Sequence, residues 1–176
     1  MSAPEALAVP AALAPAEAVP DEPYRGLLAM LGAVRPGDVV VVATGRSDAA
    51  AVWGELTSSS CVARGAAGLI TDGLCRDVEQ VRALGFPVFA RGTSPLDVDG
   101  RLDFGPHGVA VDVDGVEIAP GDLVVADVDG VVVVPAGVAP DVLRRAGEKA
   151  GREEELRLAV LGGEPIGEAF RRLGVL

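Results

Sequence analysis

Lysine is almost missing from this sequence. Lys149 is the only one in 176 residues, and it falls in a charged stretch near the C-terminus. A Schiff-base mechanism needs a lysine amine beside its substrate, so that chemistry is disfavoured. Histidine and cysteine are nearly as scarce. One histidine, His107, and two cysteines, Cys61 and Cys75, outside any Cys-x-x-Cys pair, do not complete a usual zinc cluster. A reduced, cytoplasmic protein is the simplest reading. Aromatic residues are few, so the core has to be built from Val, Leu, Ala and Ile; almost half the residues are hydrophobic, which is enough for an ordinary globular core. No apolar run approaches the roughly 20 residues of a membrane span, and residues 1–20 lack the basic start of a secretory signal. Basic patches are missing too. Arg144-Arg145 and Arg171-Arg172 are short and flanked by acids, and the formal net charge is −11. Such a chain repels phosphate backbones, so direct nucleic-acid binding is not expected.

What is present reads as a flexible Ala/Pro-rich tail over residues 1–20 and one domain over residues 21–176. Pro4, Pro10, Pro15 and Pro20 would interrupt any long helix in the tail. Helical spacing of Tyr24, Leu27, Leu28 and Leu31 predicts a helix over 23–31. Arg35-Pro36-Gly37-Asp38 is a turn, and the apolar run 39–43 that follows it is a buried strand. A helix over 49–63, carrying Trp53, Leu56 and Val62, ends at Gly65. Then come a strand over 68–71, a turn at Asp72-Gly73, a helix over 77–84 and a strand over 86–90. Alternating strands and helices of this kind make a parallel βαβ core in an α/β fold. Beyond Gly92 short valine-rich strands (109–113, 116–118, 123–126, 131–134) are punctuated by Asp-Gly pairs, a hairpin signal. Helices over 140–151, 153–160 and 164–173 close the chain. The Pro-Gly-Asp turn recurs at Pro120-Gly121-Asp122, which reads as common turn chemistry and not as duplication.

Ligand sites in open α/β sheets lie outside the carboxyl ends of the strands. Asp72-Gly73-Leu74-Cys75-Arg76-Asp77 follows a strand and opens a helix, so Arg76 and Asp77 project from that edge. Glu55, in Gly54-Glu55-Leu56-Thr57, belongs to the helix that leads into the same strand. Taken singly these residues have plainer readings: Asp77 as a helix N-cap, Arg76 as a solvated cation, Glu55 as a surface acid.

Taken together, Gly-Glu-Leu, about twenty residues, and then Asp-Gly-x-x-Arg-Asp after a strand resemble the signature of the RraA-like family, which includes the 4-hydroxy-4-methyl-2-oxoglutarate / 4-carboxy-4-hydroxy-2-oxoadipate aldolases. The run from Gly85-Phe86-Pro87 to Thr93-Ser94-Pro95 is similar to the family's strand and loop after the site. Pro120-Gly121-Asp122 through Val133-Val134-Pro135 is similar to its late β segment. The resemblance covers residues 24–176. It implies a swivelling β/β/α domain, assembled as a homotrimer or hexamer with active sites between subunits. It implies a class II lyase that cleaves a small 2-oxo acid, by aldol cleavage or oxaloacetate decarboxylation, and releases pyruvate. Arg76 would bind the pyruvate carboxylate and keto oxygen, and Asp77 would hold Mg²⁺ or Mn²⁺ largely through waters. Backbone N–H groups of Gly54, Glu55, Leu56 and Thr57 would receive the pyruvyl group, and Glu55 would act as acid/base on a metal-site water. The chemistry is coherent: carbon–carbon cleavage beside a 2-oxo group leaves an enolate, which a metal-based Lewis acid and a fixed cation stabilise. A guanidinium fork also matches a planar carboxylate.

Two features depart from the family pattern. Characterised aldolases carry a further acid three residues after the Asp, where this chain has Gln80. Less sequence also precedes the first Pro-Gly-Asp turn than in the family, which would alter the cleft or call for a partner to complete it. These departures, with the acidic surface, favour the alternative of a non-catalytic RraA-like protein-binding regulator; a third reading is an enzyme of specialised metabolism that keeps the fold and metal site. His107 lacks the Thr-Ser-His context of phosphohistidine domains and reads as a loop histidine lining the cleft. Asp112, Asp114, Asp127 and Asp129 read as hairpin turn residues. Cys75 reads as a small packing residue.

Overall fold

The computed structural model describes residues 7–16, 22 and 24–176. Contacts divide the chain into two compact units, Met1–Pro135 and Ala136–Leu176.

The first unit is built on a six-stranded sheet. Strand β1 (Ala8–Pro15) is followed by helix α1 (Arg25–Ala33), strands β2 (Val39–Ala43) and β3 (Ala51–Trp53), and helix α2 (Glu55–Arg64). Next come β4 (Gly68–Cys75), helix α3 (Val78–Ala83), β5 (Val88–Thr93) and β6 (Leu102–His107). The path through the sheet is β3-β4-β2-β1-β6, with β5 on the remaining edge of β4. β1, β2, β3, β4 and β5 pair in parallel, and only β6 runs antiparallel, against β1. Two hairpins complete the unit: β7 (Val111–Val113) with β8 (Val116–Ile118), and β9 (Leu123–Asp127) with β10 (Gly130–Val134).

β2 explains the layering. All five of its residues are buried, because the strand is covered on both faces. Val40 and Val42 join a core with Leu27, Met30, Leu31, Trp53 and Cys61, on the helix side. Val39, Val41 and Ala43 join a second core with Val111, Ile118 and Val124, on the hairpin side. Hairpins, sheet and helices thus form three layers, as the expected β/β/α arrangement requires.

Several expectations need correction. Within the expected tail, residues 8–15 form a strand between β2 and β6, and Ala11 is fully buried. Small alanines fit there, and Pro10 still contributes its carbonyl, which accepts the Gly108 N–H at 2.8 Å. The remaining tail residues, 1–6 and 17–20, lie outside the described residues. The helix expected over 49–63 begins with a strand: Ala51, Val52 and Trp53 extend the β4 edge beyond the end of β2, and the helix starts only at Glu55. Asp72-Gly73 is no turn, since β4 runs through it to Cys75. β5 runs on to Thr93, and the loop expected around His107 is instead the end of the edge strand β6.

Turn chemistry reads through as expected. Gly37 and Gly121 have φ of 87° and 85°, and Asp38 and Asp122 each accept the backbone N–H three residues back, from Arg35 at 2.8 Å and Ala119 at 2.9 Å. Asp112 accepts the Gly115 N–H and Asp127 the Asp129 N–H, which identifies the acidic cluster as hairpin geometry.

In the second unit, α4 (Ala139–Leu161) is one helix where two were expected. Gly151 does not break it; the Lys149–Glu153 pair at 2.9 Å spans that point, and such pairs stabilise a helix by about 0.2–0.5 kcal/mol. α5 (Ile166–Leu173) is tied to it through Arg172, which reaches Glu155 and Glu164 at 2.9 Å each. None of the described helices is long and apolar enough to cross a membrane.

Candidate active site

The carboxyl ends of β3, β4 and β5 lie side by side, and the chain leaving each one contributes to a single cluster. Backbone bonds lock the three exits together. Arg76 N–H donates to Trp53 O at 2.8 Å, Ser94 N–H to Cys75 O at 3.1 Å, and Ala51 N–H to Leu96 O at 2.8 Å. Trp53 is buried and its indole N–H donates to Ser58 Oγ at 2.9 Å, pinning the loop from β3 into α2.

Gly54 sits where this loop meets the segment after β4. An added Cβ there would lie 2.7 Å from Asp77 Oδ2 and 2.9 Å from Arg76 Cγ, so only glycine allows this approach. The Glu55 N–H donates to Asp77 Oδ2 at 3.2 Å, and Arg76 Nε lies 3.5 Å from the same oxygen. Glu55, Arg76 and Asp77 are therefore brought together, as expected from the motif. The Glu55 side chain is exposed and has no ion pair or hydrogen bond among the described residues. Leu56 is 79% exposed beside it.

Asp77 is not an ordinary N-cap. It precedes α3, yet its side chain makes no capping bond, and its backbone is left-handed at φ 54°. Aspartate tolerates that region better than most residues, but the conformation still costs free energy. What it achieves is to turn the carboxylate back toward Gly54 and Glu55 instead of into its own helix.

The 54–57 loop only partly matches the expected row of free amides. Gly54 N–H donates to Thr57 Oγ1 at 3.0 Å, and the Thr57 hydroxyl returns a bond to Gly54 O at 2.8 Å. The N–H groups of Leu56 and Thr57 belong to the first turn of α2. They lie at the positive end of the helix dipole, suited to an anion.

Sequence reasoning missed Asp97 and Tyr24. Asp97, in the loop after β5, forms an ion pair with Arg76 Nη1. Its other oxygen accepts the Tyr24 hydroxyl at 2.9 Å and the Asp99 N–H at 2.8 Å. Burial alone would raise the Asp97 carboxyl, but the Asp99 N–H, the Tyr24 hydroxyl and Arg76 together hold it below the ordinary carboxylate range. Tyr24 is pushed up by donating to Asp97. Only the Asp97-Val98-Asp99-Gly100 turn pattern hinted at this residue.

Asp72 defines the neighbouring loop from β2 to β3. It is 2% exposed. Its carboxylate accepts Thr44 N–H at 2.6 Å, the Thr44 hydroxyl at 2.9 Å and Arg46 N–H at 2.8 Å. Gly73 is required beside it, because a Cβ would meet Thr44 Cγ2 at 2.7 Å. Both cysteine thiols are pushed up by burial, Cys61 to about 11, which makes Cys75 a packing residue and not a reactive thiol.

His107 ends β6 and, with Tyr24, Arg25, Asp99, Asp103 and Phe104, lines a cavity of about 800 Å³. That cavity contains neither Arg76 nor Asp77, which sit on an open shelf at the sheet edge. No group of three or more His, Cys, Asp and Glu suited to a metal occurs among the described residues. The donor set at Asp77 is thus a lone carboxylate. It fits a cation such as Mg²⁺ that keeps most of its waters, and it does not fit a zinc-type cage.

Three layers of hairpins, sheet and helices, with charged side chains gathered at the carboxyl edge of the parallel strands, define a swivelling β/β/α protein. Within that class the chain belongs to the RraA-like family: residues 11–133 match its model, described as Aldolase/RraA. It is 37% identical over 126 residues to an uncharacterized protein of Methanocaldococcus jannaschii, covering 72% of this chain and 60% of the relative. It is 36% identical over 125 residues to a Halalkalibacterium halodurans protein named as a candidate 4-hydroxy-4-methyl-2-oxoglutarate aldolase, covering 71% and 59%. The chain therefore spans about three fifths of the length of these relatives. Among solved structures, an uncharacterized Pseudomonas syringae protein aligns with TM-score 0.81 at 28% identity, over 93% of this chain and 76% of that one. Streptomyces coelicolor RraAS2, described as an unusual member of the RNase ES inhibitor RraA family, aligns with TM-score 0.76 at 35% identity, over 86% and 75%.

Proposed function

We propose that the protein is a divalent-metal-dependent lyase that cleaves a small 2-oxo acid, by aldol cleavage, oxaloacetate decarboxylation or both, and releases pyruvate. The observation that carries this reading is the convergence of Arg76, Asp77 and the Gly54–Glu55 backbone at the carboxyl end of β4.

Each group has a task. Arg76 binds the substrate carboxylate and the 2-oxo oxygen through the guanidinium N–H groups that Asp77 and Asp97 leave free. The positive end of α2, at Leu56 and Thr57, receives negative charge on the same molecule. Glu55, unpaired and solvent-facing, takes the proton of the C4 hydroxyl through a water as the C3–C4 bond breaks and C4 leaves as a carbonyl, and returns a proton to the enolate carbon; when oxaloacetate loses CO2, only this last protonation is needed. Asp77 would hold Mg²⁺ or Mn²⁺, which supplies Lewis-acid stabilisation of the developing enolate. The proposed working assembly is a homotrimer or hexamer in which a neighbouring copy closes this exposed site. Aldolase names among the relatives support the lyase class.

The test is pyruvate release from oxaloacetate and from 4-hydroxy-4-methyl-2-oxoglutarate, with Mg²⁺ or Mn²⁺ and with a chelator. Metal-dependent release that is lost in Asp77→Asn is expected. Equal release with and without metal, or in the variant, would sink the assignment.

A second reading, a protein-binding regulator without catalysis, is favoured by Gln80 at the position of the family's further acid and by the likeness to RraAS2. Gln80→Glu separates the two. A rise in metal-dependent rate belongs to an enzyme, whereas an inert regulator stays inert.

A further inference from the structure

We infer that Asp97 is a positioning residue that sets the Arg76 guanidinium for a substrate carboxylate. The inference rests on the lyase reading and deepens it.

Arg76 is a long side chain that leaves the sheet at an open shelf, where an unrestrained guanidinium would sample many orientations. Two of its three nitrogens are committed within this chain: Nε faces Asp77 Oδ2 at 3.5 Å, and Nη1 is ion-paired to Asp97 Oδ2. Those two contacts define the guanidinium plane. The third nitrogen, Nη2, has no partner among the described residues and is left to present N–H groups to a ligand.

Asp97 is itself held, which distinguishes a positioning group from a competitor. Its Oδ1 accepts both the Asp99 N–H and the Tyr24 hydroxyl, so only Oδ2 faces Arg76. Its backbone carbonyl accepts Arg101 Nη1 at 3.0 Å. A carboxylate anchored at two points, on a backbone held at a third, does not swing away when substrate arrives. It stays and keeps the guanidinium aimed. Tyr24, which enters from the start of α1, links this arrangement to the helix layer.

The experiment uses steady-state kinetics with oxaloacetate and Mn²⁺, together with binding of oxalate, a planar dicarboxylate, read through the fluorescence of Trp53, the only tryptophan. The variants are Arg76→Ala, Asp97→Asn, Asp97→Glu and Tyr24→Phe, each checked for its melting temperature. Loss of one charge-assisted contact on Arg76 should raise KM and the oxalate Kd roughly tenfold in Asp97→Asn, with kcat changed far less. Asp97→Glu should recover part of the loss, and Tyr24→Phe should shift KM in the same direction by a smaller factor. A merely structural role would lower the melting temperature and leave KM alone. If Arg76→Ala abolishes binding while Asp97→Asn behaves as the unsubstituted protein, the inference is overturned and the lyase reading stands. Tighter binding in Asp97→Asn overturns it as well, because Asp97 would then be competing with substrate. If the unsubstituted protein neither turns over oxaloacetate nor binds oxalate, or Arg76→Ala matches it, the lyase reading fails and takes the inference with it.

Discussion

Asp72 and Asp77 stand on either side of the end of β4, and folding gives them opposite surroundings. Asp72 is 2% exposed, lies within β4 where its pairing with β5 shifts register, and is saturated by three donors from the β2–β3 loop. Asp77 is exposed, left-handed, uncapped and turned toward Gly54. One carboxylate is consumed by architecture; the other is held at a backbone cost with capacity to spare. A satisfied buried acid shapes the loop beside the site, whereas an underused acid in a strained conformation has the signature of function.

The sharpest way to break this contrast is Asp72→Ala. It strands the buried backbone N–H and hydroxyl of Thr44 and the half-buried N–H of Arg46, so a loss of about 3 kcal/mol is expected in urea unfolding. A loss under about 1 kcal/mol would mean that water replaces the carboxylate and that Asp72 is no anchor. Asp77→Asn should do the reverse. Asparagine accepts the left-handed backbone, so stability should stay within about 0.5 kcal/mol. Metal-dependent pyruvate release, however, should fall by about a hundredfold or more. A mid-sized effect belongs to Gly54→Ala. The new methyl meets the movable end of Asp77 and the Arg76 stem, so unfolding should change by less than about 1 kcal/mol while kcat/KM drops by about tenfold or more. Wild-type activity there would show that the close approach at Gly54 is incidental.

The smallest effect concerns pH. The Asp97 carboxyl is held below its ordinary range in the folded chain. Its contribution is therefore present above the unfolded value and lost as pH falls through the lower folded one. The group is about a third exposed, so this amounts to less than about 1 kcal/mol. Asp97→Asn should flatten that part of the acid limb and lower stability near neutrality by that same small amount, less than about 1 kcal/mol. An unaltered acid limb would show that the network around Arg76 adds nothing to folding.

Much of the fold was legible. The run 39–43 announced a strand buried on both faces, and the Pro-Gly-Asp turns and the hairpin turns at Asp114-Gly115 and Asp129-Gly130 appear where the sequence puts them. The motif around Glu55, Arg76 and Asp77 also pointed to side chains that do meet. What misled was local chemistry overruled at a distance. Asp72-Gly73 carries a hairpin-turn signal, but here aspartate caps the loop at Thr44 and Arg46, and glycine clears Thr44. Ala51, Val52 and Trp53 read as the start of a helix because nothing nearby reveals that the β4 edge is open to them. Residues 8–15 read as tail because alanine and proline carry weak strand preference, and burial between two strands outweighs that preference.

By itself the sequence determined the class of fold, the turn positions and the residues at the carboxyl edge, because hydrophobic period and turn geometry are set by neighbours within a few positions. Tertiary structure alone decided that the acid facing Arg76 is Asp97, that Tyr24 anchors it, and that Asp72 and Asp77 differ in role. Those pairings join residues far apart in the chain, and the order in which strands take their places in the sheet determines which of them meet.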